Sequence, residues 1–372
     1  MLIGIDGNEA NVEKKVGISE YAFQLLWQFA SSKFKVKSSK FVIYLKDKPR
    51  GDMPLEREGW QYRVIGPKRM WTQVGLPFDL YTHFPRPDVF FTPSHYAPIF
   101  SPVPTVISIM DLSYIHFPHL FNKTDLYQLQ NWTKYSAKNA RMVLTISEAS
   151  KRDIIDIYGI SQDKIVVTYP GLKKTHSKEG IPMDLLKSYQ ISGDYILFVG
   201  TLQPRKNIER LIEAFSQISF SHKNLSLVVV GKHGWLYEDI LQASKKYGVE
   251  QKVKFVSFVP DTDLAHFYTH AKCFVLPSLY EGFGLPVLEA MSYGCPVVTS
   301  NISSLPEAGG DAALYVNPKD VTDIAKKITM VLDSEKLRKE MIEKGKRHVK
   351  KFSWEKTAKE TLSVLESVGG EK

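Results

Sequence analysis

Cysteine is scarce in this 372-residue chain: only Cys273 and Cys295 occur, each inside an apolar run. That excludes a disulfide framework and supplies no thiolate metal set, so both read as buried thiols. No stretch approaches the ~18 consecutive apolar residues of a membrane span, and Met1-Leu2-Ile3-Gly4-Ile5-Asp6 lacks the basic and apolar regions of a secretion signal. A soluble, cytoplasmic protein is expected. Metalloprotease and hydrolase signatures such as His-Glu-x-x-His and Gly-x-Ser-x-Gly are missing, and no metal site is expected. Gly4 and Gly7 lack the dinucleotide spacing, so nicotinamide chemistry has no fingerprint here.

What is present is globular. Hydrophobic residues make up 43% and charged residues 24% of the chain, enough for a sizeable core, and the length favours two domains. The net charge of +9 is spread evenly, with 21 cations against 16 acids in residues 1–170 and 28 against 24 in the rest, so nucleic acid is not an expected partner. Lys33, Lys35, Lys37, Lys40, Lys46, Lys48 and Arg50 do crowd one segment. Such a run is a solvated loop or a rest for anionic lipid head groups at roughly 1 kcal/mol per cation.

Short apolar runs alternate with helix-period segments, the pattern of parallel strands joined by crossover helices. Strands are predicted at Leu2–Asp6, Phe41–Leu45, Tyr62–Ile65, Val89–Phe91, Thr105–Ile109, Met142–Ile146 and Ile165–Thr168, with helices over Ile18–Ala30, Thr124–Lys138 and Glu148–Tyr158. Between Tyr169 and Gly193 apolar density falls while Pro170, Gly171, Lys173, Lys174, Lys178, Glu179, Gly180 and Pro182 accumulate, which is linker chemistry. The alternation then restarts, with strands at Tyr195–Val199, Leu225–Val230, Val253–Phe258, Cys273–Leu276 and Pro296–Thr299 and helices from Asn207, Leu236, Asp263 and Pro286. Two α/β domains follow, residues 1–170 and 193–350 about a linker at 171–192, each a doubly wound Rossmann-like unit. Helical patterns close the chain at Asp320–Leu332, Glu335–Lys350 and Ser353–Ser367, where Trp354, Ala358, Leu362 and Leu365 recur at helical spacing. A helix over 353–368 is expected to pack back on the first domain.

The segment Pro277-Ser278-Leu279-Tyr280-Glu281-Gly282-Phe283-Gly284-Leu285-Pro286-Val287-Leu288-Glu289 carries most of the chemistry. A strand ends, two glycines follow, and Pro286 sits in the first turn of a helix, where its missing N–H is no loss. Gly282 and Gly284 let backbone amides and the positive helix end approach a phosphate. Glu281 and Glu289 flank that loop and suit neutral hydroxyls, a sugar at one end and a ribose at the other. In Val199-Gly200-Thr201-Leu202-Gln203-Pro204-Arg205-Lys206-Asn207, Asn207 reads as an N-cap. Arg205 and Lys206 then precede the positive end of a helix, where cations are unfavourable without a compensating anion, and a diphosphate is the reading. Asp261-Thr262-Asp263 looks like a Mn²⁺ tripeptide but opens a helical pattern after Pro260, so capping explains both acids.

The Glu281-to-Glu289 segment resembles the Glu-x7-Glu motif of retaining glycosyltransferases of the GT-B fold, especially glycosyltransferase family 4. The resemblance implies two Rossmann-like domains facing each other across a cleft. It places the donor sugar at Glu281, the diphosphate at the loop over Gly282, Phe283, Gly284 and Leu285, the ribose at Glu289 and the nucleotide base near Val259. Family members often carry Arg directly after the glycine, where this chain has Thr201, so Arg205 and Lys206 must supply the charge. In the first half the resemblance is patchier. Gly17 at a helix entry, Asp111 after a strand with Met110 where a His is common, His95 or His116 as a replacement polar group, and Ser147 beside the cleft or simply as an N-cap are the candidates. The implied activity is metal-independent transfer of a hexose, mannose favoured, from a nucleotide sugar to a saccharide or polyprenol-linked acceptor. No cofactor is implied, GDP-mannose is the favoured donor over UDP-sugars, and peripheral contact with an anionic membrane is expected. An epimerase, a phosphorylase or a weakly active nucleotide-sugar binder on the same fold are the alternatives.

Overall fold

The computed structural model describes residues 1–31, 39–173 and 185–371. Lys33, Lys35 and Lys37 of the basic segment, and Lys174, Lys178, Glu179, Gly180 and Pro182 of the expected linker, lie outside these residues. The described chain divides into two compact units, Met1–Gly171 with Phe352–Lys372, and Leu172–Lys351.

In the first unit seven strands form one sheet: β1 (Leu2–Asp6), β2 (Lys40–Leu45), β3 (Trp60–Val64), β4 (Val89–Thr92), β5 (Thr105–Ile109), β6 (Met142–Thr145) and β7 (Ile165–Val167). Their order is β3-β2-β1-β4-β5-β6-β7, and all are parallel, with Ile3 opposite Phe41 on one side and Val89 on the other. Strands buried on both faces read as continuous apolar runs, which is why β1, β4 and β5 stood out in the sequence. Helix Glu148–Tyr158 starts where the Ser147 hydroxyl accepts from the Ser150 N–H and stops at left-handed Gly159.

The second unit repeats the plan with six strands: β8 (Tyr195–Val199), β9 (Ser226–Val230), β10 (Val253–Val256), β11 (Cys273–Leu276), β12 (Val297–Ser300) and β13 (Ala313–Val316), in the order β10-β9-β8-β11-β12-β13. Both orders reverse direction beside the first strand of the unit, the switch point where doubly wound sheets bind ligands at the carboxyl ends of their strands. Residues 185–192, expected as linker, belong to this unit. Tyr189 packs its ring on Phe267 at 5.1 Å and donates its hydroxyl to Asp263 at 2.7 Å. Asp261 pairs with Lys173 at 3.2 Å. The capping expectation for the two acids is therefore corrected: the helix Asp261–His270 begins at Asp261 with Pro260 before it and no side-chain cap. Both carboxylates sit in its first turn, where the dipole favours them. Cys273 and Cys295 are free and buried.

The helix Trp354–Gly370 completes the core of the first unit. Trp354, Ala358, Leu362, Leu365 and Val368 are buried in the same cluster as Ile3, Tyr21, Leu25 and Val89. Tyr21 and Trp354 meet edge to face at 5.9 Å. Among the described residues no helix is long and apolar enough to cross a membrane. Leu365→Ala should lower the stability of the first unit by about 2–5 kcal/mol in urea unfolding, since it empties a fully buried site. Lys359→Ala on the exposed side of the same helix should leave the midpoint unchanged.

Candidate active site

In the second unit the carboxyl ends of three neighbouring strands, β8, β11 and β12, converge on one residue. Glu281 follows β11 and is buried. Its Oε1 accepts from Lys206 Nζ at 2.5 Å and from the Ser278 hydroxyl at 2.7 Å, and its Oε2 accepts from Arg205 Nη1 at 3.0 Å. Lys206 and Arg205 come from the short 3-10 turn Pro204–Lys206 after β8, and Arg205 Nη1 also reaches the Tyr280 carbonyl at 2.5 Å. The loop after β12 holds the backbone of the same residue. Ser303 Oγ accepts from the Glu281 N–H at 3.1 Å and Ser304 Oγ donates to the Glu281 carbonyl at 2.7 Å.

Burial alone would raise the Glu281 pKa. The adjacent Lys206 and Arg205 charges, with the hydrogen bonds from Lys206 and Ser278, outweigh it and hold the carboxyl down to about 2. Here a sequence inference is corrected. Arg205 and Lys206 did call for a compensating anion before the helix, and the chain itself provides one in Glu281. Asn207 is corrected as well. It adopts a left-handed conformation and makes no capping bond, while its amide donates to the carbonyls of Pro277 at 2.9 Å and Pro318 at 2.6 Å.

Four residues on from Glu281 the helix Leu285–Ser292 begins, with Pro286 in its first turn and Gly284 at φ 102° as its cap. A Cβ on Gly284 would stand 2.8 Å from Leu305 Cδ2, so only glycine fits both the backbone and the space. Gly282 and Phe283 are buried in the same loop. The helix start thus carries amides that no intrahelical carbonyl meets, pointing the way β11 runs. One turn along, Glu289 is partly buried and accepts from Tyr268 Oη at 3.0 Å. Thr201 is exposed beside the β8 end, and Val259 is buried just past β10.

Ser278, Ser303, Ser304 and Tyr268 escaped the sequence reading. Ser303 and Ser304 become partners of Glu281 only because β12 lies beside β11, which spacing along the chain does not reveal. A left-handed φ of 52° at Ser303 is a further local feature without a sequence signal.

The first-unit candidates line the carboxyl ends of its own sheet. Gly17 caps helix Ile18–Ala30 at φ 57° with open space where a Cβ would stand. Asp111 accepts from the Ser113 N–H at 2.8 Å, and His95 is partly buried. Burial holds the His95 imidazole down to about 4 against the pull of Asp111, so it is neutral at pH 7. Ser147 is committed to its cap, and its hydroxyl also meets Ser150, which donates to the Met110 carbonyl at 3.0 Å. Asp6, which the sequence reading passed over, ends β1 buried and accepts from Asn8 N and Nδ2, and burial raises it to about 6.

Residues 187–348 match the family Glycosyl transferases group 1 and residues 17–175 match Glycosyltransferase Family 4. The O-antigen chain mannosyltransferase B of Escherichia coli is 33% identical over 311 residues, 82% of this chain and 78% of that one. The chain is a family 4 glycosyltransferase. It is mannosyltransferase-like, and its enzyme class is that of the hexosyltransferases. A longer serotype-specific mannosyltransferase of Escherichia coli is also 33% identical, and this chain spans 28% of its length. Among solved structures, sucrose-phosphate synthase from Thermosynechococcus elongatus superposes with a TM-score of 0.76 at 19% identity over 100% of both chains. Anabaena HepE in complex with UDP-glucose does so with 0.71 at 18% identity, covering 98% of this chain and 99% of that one. These likenesses are of fold, and the fold of this glycosyltransferase is GT-B.

The Glu281 ion cluster should be visible in acid unfolding. A carboxylate held below its ordinary value stabilises the fold above pH about 4.5, and that contribution drains away as pH falls towards about 2. The urea midpoint of Glu281→Gln should therefore lie well below wild type at pH 7 and converge on it in the acid range. A gap that stays constant with pH would show that the charge is not what matters.

Proposed function

We propose that this glycosyltransferase moves mannose from GDP-mannose to a saccharide or polyprenol-linked acceptor, with retention of anomeric configuration and without a metal ion. The second unit would hold the donor and the first would receive the acceptor near Gly17, His95, Asp111 and Ser147. The observation that carries the reading is the Glu281 cluster, because it fixes two cations and a helix N-terminus in one strand-end loop system.

As the sugar leaves its diphosphate, an oxocarbenium-like centre develops and negative charge grows on the leaving group. Lys206, Arg205 and the N–H groups at the start of the helix Leu285–Ser292, Pro286 excepted, are the groups suited to that charge. They are held before the reaction by Glu281, so little reorganisation is needed. Glu281 Oε2 receives one bond from Arg205, which leaves it able to accept a sugar hydroxyl. Glu289, oriented by Tyr268, suits a ribose diol, and the backbone at Val259 the base. No carboxylate nucleophile is called for if the leaving phosphate itself takes the acceptor proton on the same face. The Asp261 and Asp263 carboxylates are engaged with Lys173 and Tyr189, which supports assigning charge neutralisation to Lys206 and Arg205. The mannosyl donor is supported by the name of the Escherichia coli relative, an O-antigen chain mannosyltransferase, which also supports polysaccharide assembly as the setting. Anabaena HepE was solved with UDP-glucose, which makes a UDP-sugar the second choice.

Lys206→Ala should lower kcat/KM by about 10²–10³-fold, the effect of losing one charge-stabilising donor. An unchanged value would remove Lys206 from the mechanism. Calorimetry with GDP, UDP and ADP, each with and without the sugar, should show tightest binding for GDP-mannose, and Glu289→Ala should weaken nucleotide binding whichever sugar is attached. Preference for UDP-glucose would overturn the donor assignment, and interconversion of the nucleotide sugar without acceptor would indicate an epimerase.

A further inference from the structure

In the first unit the helix Lys123–Asn139 leads from the loops after β5 to the start of β6. Its first turn is closed by Asn122, whose side chain accepts from the Asp125 N–H at 2.8 Å. The inner side is an ordinary packing face. Thr133, Ser136 and Ala137 are buried, and Leu126 and Leu129 rest on the cluster that holds Ile107, Val143 and Ile154. The outer side carries three aromatic rings instead of the charges usual on a water-facing helix. Tyr127, Trp132 and Tyr135 are all exposed, Tyr127 to 66%.

At 3.6 residues per turn the three rings share with Gln128 and Asn131 one arc of roughly 140°, about 12 Å long from Tyr127 to Tyr135. No charged residue falls inside that stretch of the arc. Lys134 borders it on one side, Asp125 on the other, and Lys138 stands beyond its end. The amides are placed among the rings by the helix itself. Asn131 Nδ2 donates to the Tyr127 carbonyl at 2.9 Å, and one turn past the arc Asn139 Nδ2 donates to the Tyr135 carbonyl at 2.8 Å. Each amide keeps a second N–H and an oxygen to offer a ligand.

This face is continuous with an acceptor-side candidate of the same unit. The Trp132 ring meets Tyr96 edge to face at 5.8 Å, and Tyr96 meets His95 at 4.2 Å. The Ala97 N–H donates to buried Ser136 Oγ at 3.0 Å, which fixes the loop after β4 against the helix. A path of rings therefore runs from the exposed helix face to His95.

The mixture selects its ligand. A bilayer would desolvate Gln128 and Asn131 without giving them partners, and a polyanion would find no row of cations between the rings. A sugar ring has an apolar C–H face and a rim of neutral hydroxyls. The first stacks on Tyr and Trp, and the second pairs with amides that both donate and accept. Rigid aromatic side chains also lose little conformational freedom on binding.

We propose that the outer face of the helix Lys123–Asn139 binds a neutral saccharide chain, the part of the acceptor already built, through Tyr127, Trp132 and Tyr135 with Asn131 and Gln128. The inference rests on the saccharide acceptor of the proposed function and deepens it: the acceptor is recognised along several residues and not only at the end that is extended.

The test uses the full-length protein and two probes, α-mannotetraose and α-mannobiose, titrated by calorimetry without any sugar donor. Wild type should bind the tetraose at millimolar concentrations and more tightly than the biose. Tyr127→Ala and Trp132→Ala should each weaken tetraose binding by about tenfold, the loss of one stacked ring. Trp132 also packs on Tyr96, so the exposed Tyr127 gives the variant whose thermal midpoint should stay at the wild-type value. Lys138→Ala, beyond the arc, should change nothing. With donor present, both aromatic variants should lower the ratio of kcat/KM for the tetraose to that for the biose, through KM, a readout that a general loss of folding would not move. Three results overturn the proposal: no tetraose binding by wild type, undiminished binding by Tyr127→Ala, or a wild-type dimer or phosphatidylglycerol-vesicle complex that Tyr127→Ala dissolves. Binding is measured without donor, so these failures leave the transfer reading standing, whereas absence of transfer to either probe with tetraose binding intact would count against that reading alone.

Discussion

A single buried carboxylate governs the architecture of the second unit's strand ends. Taking Glu281 out of water costs several kcal/mol unless its charge is matched, and Lys206 and Arg205 match it from another strand's loop. Each cation is itself largely buried, so removing Glu281 would take from both the carboxylate they share. The ion cluster thereby ties the turn after β8 to the loop after β11, while Ser303 and Ser304 tie the same loop to the end of β12. The start of the helix Leu285–Ser292 inherits its position from that network.

The cluster also changes how the basic pair is understood. Two cations just before a helix N-terminus are repelled by its dipole, and a bound anion was the simplest remedy. An internal carboxylate is a different remedy with a different consequence. Glu281 holds both cations in place, so in the proposed reaction their donors would already be oriented when charge develops. A site of this kind gains rate from preorganisation rather than from ligand-driven assembly. Glu281 would then act in two ways, holding the cations and offering its remaining lone pairs to the sugar.

Much of the fold was legible because parallel strands buried on both faces announce themselves as unbroken apolar runs: β1, β5, β8 and β11 fall on the expected residues. β13 was missed because its apolar run is only four residues long and Ala313, Leu314 and Tyr315 are only partly buried at the sheet's edge. The helix Leu76–Thr82 was missed for the opposite reason, being apolar on its outer as well as its inner side and interrupted by Gly75 and Pro77. In the site, Glu281, Arg205 and Lys206 were legible from residue type and position. Their pairing with one another was not, since it depends on β8 and β11 being neighbours although some seventy residues separate them. The same applies to Ser303 and Ser304. Asn207 shows the limit of local rules: a good capping residue was drawn instead to two distant carbonyls.

The terminal helix adds a constraint on how the units are joined. Trp354 through Val368 fill the core beside β1 and β4, so the first unit cannot bury its own apolar surface until the last residues of the chain arrive. The second unit is consequently an insertion, entered after Gly171 and left before Phe352. These two crossings lie side by side. Tyr169 and Phe352 meet ring to ring at 5.8 Å, Thr357 Oγ1 donates to the Tyr169 carbonyl at 2.6 Å, and a Cβ on Gly171 would stand 2.0 Å from the Trp354 nitrogen. Any side chain at 171 would push the exit and return segments apart, so glycine there is required by the approach of two backbones rather than by its own torsion angles. Both segments therefore leave the first unit from one point, beside the start of the terminal helix.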